Sequence, residues 1–177
     1  MLKEIVFSVV LVFFLGCGNV KSVITPQKLE EAYIQATRKA ELITENRVQV
    51  VLIATHLNTF DEEKYPENAG EVFFVDVYQS FQNGVENPKG FFENGFYLML
   101  SNGETPVKIT ALKKEQLRGL MQDNATSWGE YYLVEFLPQD KRTRNSLQLL
   151  LQHKDFGENS LNFGFKPLNK EALKDKR

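Results

Sequence analysis

Two histidines, His56 and His153, are the only imidazoles in the 177 residues. Each falls at the end of an apolar run, with Asp61 and Asp155 the nearest acids along the chain. A histidine beside a carboxylate can serve as general acid or base, or hold a metal ion. Such a centre requires the two strand ends to align, and two unrelated structural histidines are the expected case. Residues 61–71 carry five acidic groups and one lysine. Clustered oxygens suit calcium, but the spacing matches no EF-hand, and a solvated acidic loop is expected. Gly-x-Ser-x-Gly, His-Glu-x-x-His and phosphate-cradling glycine patterns are all absent from the sequence. No catalytic residue, metal site or cofactor is therefore expected.

Aromatic side chains supply the remaining candidates. Phe91 and Phe92 sit in a stretch bounded by Gly90 and Gly95, and Trp128 lies close to Tyr131 and Tyr132. Aromatics on loops act as ligand anchors, which makes Phe91, Phe92 and Trp128 the candidate ligand-binding residues. Each also has a structural reading, which is favoured. The two phenylalanines would plug one end of a β-domain, and the tryptophan would pack into its core.

The lone cysteine, Cys17, closes an apolar run from Ile5 to Leu15 that follows Lys3. A membrane-spanning helix needs about 20 apolar residues. This run is shorter and stops at Gly16, so residues 1–16 read as a signal peptide that is removed. Phe14-Leu15-Gly16-Cys17 resembles the lipobox of bacterial prolipoproteins; Gly16 and Cys17 match, and Phe14 stands where leucine is usual. The resemblance covers residues 1–17 only. It implies cleavage before Cys17 and lipid attachment there. It also implies an envelope location, with the outer membrane favoured over the inner because Gly18, and not aspartate, follows the cysteine. Two acyl chains suffice for lasting attachment where one does not, at about 0.8 kcal/mol per buried CH₂.

The elements that must position these residues follow from periodicity. Residues 17–25 read as a lipidated tether. Residues 26–46 predict one amphipathic helix, with Thr25 as N-cap, Pro26 at the first turn and Leu29, Ala32, Tyr33, Ala36, Ala40 and Ile43 on one face. From 47 to 165 the period changes to two. Seven strands are predicted, over 48–55, 71–81, 96–100, 107–112, 130–137, 146–153 and 161–165. A hairpin at Asn102-Gly103 would join the third to the fourth, and a short helix would fill 113–123. Strand number and span point to a mainly β fold, a seven-stranded antiparallel immunoglobulin-like β-sandwich, with a small barrel as rival. Residues 166–177 form a basic tail. The net charge of −2 implies no nucleic acid partner. With no cysteine after Cys17 there is no disulfide, so 14 Phe and 6 Tyr must supply the core.

These features lead to a non-enzymatic, lipid-anchored envelope protein that binds or scaffolds an envelope protein partner. A surface-exposed adhesin is the alternative, and a hydrolase using His56 or His153 the third reading. Cys17→Ser should abolish incorporation of a palmitate analogue and leave the precursor uncleaved. Unchanged labelling of the variant would contradict the lipobox reading.

Overall fold

A computed structural model describes residues 28–80, 90–140 and 146–164. The expected signal peptide, Cys17, the expected tether, the expected helix start at Pro26 and the expected basic tail lie outside the described residues. The chain divides into two units, Met1–Glu31 and Ala32–Arg177. Of the first, only Lys28–Glu31 is described, the opening turn of a helix. The second is mainly β, with strands in two antiparallel sheets. Among the described residues no helix is long and apolar enough to cross a membrane.

The single helix predicted over 26–46 is corrected. Helix α1 spans Lys28–Ala36, and strand β1 takes Thr37–Thr44. Ala40 and Ile43 fit the helical period, yet Ala40 and Leu42 also fit a period of two, and both are buried in the core. Pairing decides between the two patterns. β1 lies antiparallel to β2, Arg47–His56, with Thr37 opposite Thr55 and Thr44 opposite Arg47. Asn46, which the helical pattern makes a stop, instead turns a hairpin. Glu45 and Asn46 both have positive φ (52° and 58°), the twist that matches right-handed strands.

Eight strands are thus present among the described residues, in place of seven. The larger sheet, sheet A, runs in the order β1, β2, β3 (Glu71–Gln79), β6 (Glu130–Phe136), β5 (Lys108–Leu112). The smaller, sheet B, holds β4 (Phe96–Leu100), β7 (Gln148–His153) and β8 (Gly157–Asn162). The predicted β4–β5 hairpin is also corrected. The turn itself closes, with the Leu100 N–H on Glu104 O at 2.8 Å and the Gly103 N–H on Leu100 O at 2.9 Å. Pro106 then offers no N–H to extend a ladder. The chain crosses to the other sheet, where the Val107 N–H meets Glu135 O at 2.8 Å. The helix predicted over 113–123 divides into a 3₁₀ turn, Lys114–Gln116, and a short helix, Leu120–Asp123. Gly119 separates them at φ 56°, ψ −139°, a backbone conformation other residues avoid.

The inner faces of both sheets meet in one core. Val50, Leu52 and Ala54 of β2, Phe73, Val75 and Val77 of β3, and Val134 and Phe136 of β6 pack with Leu98 and Leu100 of β4, Leu149 and Leu151 of β7, and Leu161 of β8. Along one side the sheets approach through β1 and β8. Arg38 Nε donates to Asn162 O and Asn159 Nδ2 to Glu41 O, both at 2.9 Å.

Strand β7 alternates as its sequence predicts, Leu149 and Leu151 buried and Gln148 and Gln152 partly exposed. Leu149→Ala should lower stability by about 2–5 kcal/mol, and Gln148→Ala by no more than about 0.5 kcal/mol, in denaturant melts. Equal losses would contradict the half-buried strand.

Candidate binding surface around Asp76 and Trp128

The alternation of β3 sends Phe74, Asp76 and Tyr78 to the outer face of sheet A. That face is not bare. A second apolar cluster covers it, built from Leu57, Val72, Phe74, Leu117 and Tyr131, with Phe60, Tyr65, Leu112, Met121 and Leu133 against them. The cover comes from the short helix α2, Leu57–Phe60, and from the segment 113–129. Phe74 and Tyr131 stack nearly parallel at 6.1 Å between centroids.

Asp76 sits within this cover at 7% exposure. Its Oδ2 accepts the Tyr78 hydroxyl at 2.8 Å, while among the described residues Oδ1 is buried with no hydrogen-bond partner. A Cβ on Gly129 would fall 2.8 Å from Asp76 Oδ1 and 2.5 Å from the Tyr131 hydroxyl. Any larger residue there would force the Tyr131 or Asp76 side chain to shift. Burial pushes the Asp76 carboxyl up to about 6, against the opposing pull of the Tyr78 hydroxyl. Burial likewise drives the Tyr78 phenol up to about 12. Tyr33 of α1 is raised, first by burial and in part by the charge of Asp76, against a hydrogen bond with Thr55.

The loop above the carboxylate is tied down on one side and open on the other. Tyr131 Oη donates to Thr126 O at 2.8 Å and accepts the Thr126 N–H at 2.7 Å. The next aromatic, Trp128, is 78% exposed. The expected core packing of Trp128 is therefore corrected: it stands out from a loop whose following residue closes over Asp76. A desolvated carboxylate costs stability, and such costs concentrate where a site must be ready for a ligand.

The other candidates fall elsewhere. His56 pairs with Glu71, not Asp61, its Nε2 2.7 Å from Oε2 and both side chains buried. The Thr59 hydroxyl lies 2.8 Å from Nδ1, and Phe73 and Phe163 flank the ring. Glu71 thus leaves the predicted solvated loop for the core face. Beside it, Asn58 donates to Tyr65 O and Gly70 O and accepts the Val72 N–H, folding residues 61–70 back onto the sheet. His153 lies at the other end of the core. Its Nε2 donates to Asn94 O at 3.1 Å and its Nδ1 accepts the Asp155 backbone N–H at 3.1 Å. Phe163 is joined to Leu147, six residues from His153 and about 20 Å away along the strand. The two histidines are not brought together, and among the described residues no three metal-ligating side chains cluster.

Phe91 is fully buried, stacked on Phe96 at 4.8 Å, and Phe92 is half-buried against Tyr132. The Phe91 N–H and the Tyr132 hydroxyl both donate to Glu130 Oε2, at 2.9 and 2.7 Å. Asn94 Nδ2 donates to Gln79 Oε1 at 2.7 Å. These groups close that end of the core. Comparison with family models, curated proteins and solved structures returns no significant match.

The raised Asp76 carboxyl has a testable sign. The folded state holds this proton more tightly than the unfolded state does. The resulting stabilisation is complete below about pH 4 and is lost as pH rises through about 6. Asp76→Asn should therefore gain on wild type by about 2–3 kcal/mol between pH 4 and pH 8 in denaturant melts. A pH-independent difference would contradict the buried carboxylate with one oxygen left without a hydrogen bond.

Proposed function

We propose that this chain is a lipid-anchored binding module of a bacterial envelope, folded as a β-sandwich and attached to the membrane through Cys17. Two antiparallel sheets sharing one core support the sandwich. The lipobox-like Phe14-Leu15-Gly16-Cys17 supports the anchor. The outer membrane is the favoured address, and a protein of the same envelope the favoured partner. Binding, with no chemical step, is the role assigned.

Exposed Trp128 carries the binding reading. Large aromatics dominate the energetics of contact surfaces, and this one contributes little to the fold while standing beside a desolvated carboxylate. A photo-crosslinking residue at position 128 should capture a discrete envelope partner from intact cells. Trp128→Ala should reduce recovery of that partner at least tenfold while changing stability by no more than about 0.5 kcal/mol. Unchanged recovery, or a loss of stability typical of a core residue, would contradict this surface.

A further inference from the structure

We propose that the open edge of β5 takes up an extended, acidic-ended segment of a partner protein as an added β-strand. The edge stands out first by exposure. Val107 and Ile109 share the inner face of sheet A, since Ile109 lies opposite Val134. Val134 is fully buried, yet Ile109 is 42% and Val107 59% exposed. The cause is the mismatch between five strands and three. Among the described residues sheet B has no strand to set against β5, and apolar side chains of core type meet solvent there. On the opposite side β8 reaches β1 through Arg38 and Asn159, and there Ile43 and Val48, at the β1–β2 hairpin end, are the exposed apolar pair.

The same edge leaves backbone groups available. Among the described residues β5 pairs only with β6, at the end of the sheet order. Every second N–H and C=O of an edge strand points away from its neighbour and can receive another strand. An entering strand satisfies these groups, and its alternate side chains cover Val107 and Ile109. The five residues of β5 are too few for self-pairing of two copies to reach the roughly 1,000 Å² of a stable interface. A partner segment that continues past the strand onto the neighbouring surface is not limited in this way.

Charge gives the direction. Lys108 is matched by Glu135 at 2.7 Å, whereas the segment that follows the C-terminal end of β5 carries exposed Lys113, Lys114 and Arg118 with Glu115 the one acid among residues 113–118. An antiparallel strand brings its N-terminal end to this segment, so acidic residues belong there. That end of the sheet also carries Trp128, because Leu112 lies opposite Tyr131. This inference rests on the binding-module reading and specifies the form of the partner.

The probe is a fluorescein-labelled heptapeptide, two aspartates followed by Val-Thr-Val-Thr-Val, titrated into the full chain in detergent. Saturable binding is expected by anisotropy, with a change in the emission of the one tryptophan. Replacing the aspartates by lysines should weaken binding at least tenfold. So should Ile109→Lys, which at a half-exposed position preserves the melting behaviour. No binding at millimolar peptide, equal binding of the lysine peptide, or a dimer by sedimentation without peptide would each overturn the proposal. If the peptide fails while crosslinking at position 128 still captures a partner, the edge inference alone falls. If both fail, the binding-module reading falls with it.

Discussion

One apolar core between two sheets of unequal width governs this molecule. No cysteine follows Cys17, so packing and pairing hold the domain without a covalent link. Phe73, Val75 and Val134 from the wide sheet meet Leu98, Leu149 and Leu151 from the narrow one. A five-stranded sheet cannot be covered on one face by three strands, and the consequences lie at its margins. At the β1 margin, Arg38 and Asn159 hydrogen-bond to Asn162 and Glu41 and tie β1 to β8, with Ile43 and Val48 exposed at the hairpin end. At the β5 margin nothing equivalent appears among the described residues, and Val107 and Ile109 are left in water. The outer face of the wide sheet is treated differently again, roofed by α2 and residues 113–129 over Phe74 and Tyr131.

The buried polar groups divide into two kinds. His56, Glu71 and Asn58 are gathered at one end of β2 and β3, where imidazole meets carboxylate and the amide holds three backbone partners. The His56 ring and the Asn58 amide, each hydrogen-bonded through both of its polar atoms, fix register and loop path at modest net cost. Asp76 is the opposite case. One oxygen is buried without a partner under Gly129, and its proton affinity rises accordingly. A fold with no use for that carboxylate would be more stable with a neutral residue. Its place beneath the Trp128 loop joins the least comfortable group of the sheet to its most exposed aromatic.

Much of the strand pattern was legible from alternation alone. Each of the seven predicted strands overlaps an observed one, and the inner faces of β3 and β7 are the predicted ones. Three parts were not legible. Residues 37–44 satisfy a helical and a strand period together, and only pairing with β2 selects the strand. Alternation places Asp76 and Tyr78 on the outer face of β3 without revealing the layer over it, although Phe74, Tyr131 and Leu133 on the same face hint at one. By sequence, Glu71 closes the acidic loop and His56 stands at a strand end. Extending the alternation of Phe73 and Ala54 by one step places both on the core face, where opposite partners at adjacent strand ends can pair. The exposure of Trp128 had no sequence signal, because nearby Tyr131 and Tyr132 are both buried.

Native-state amide hydrogen exchange tests most directly whether the unequal sheets form one cooperative core. Amides of Val75 and Val134 in the wide sheet, and of Leu149 and Leu151 in the narrow one, should exchange only through global unfolding, with opening free energies agreeing within about 1 kcal/mol. Amides on the free edge of β5 should exchange far faster. Release of the narrow sheet at an opening free energy several kcal/mol below that of the wide sheet would show two separately stable layers and contradict the single core.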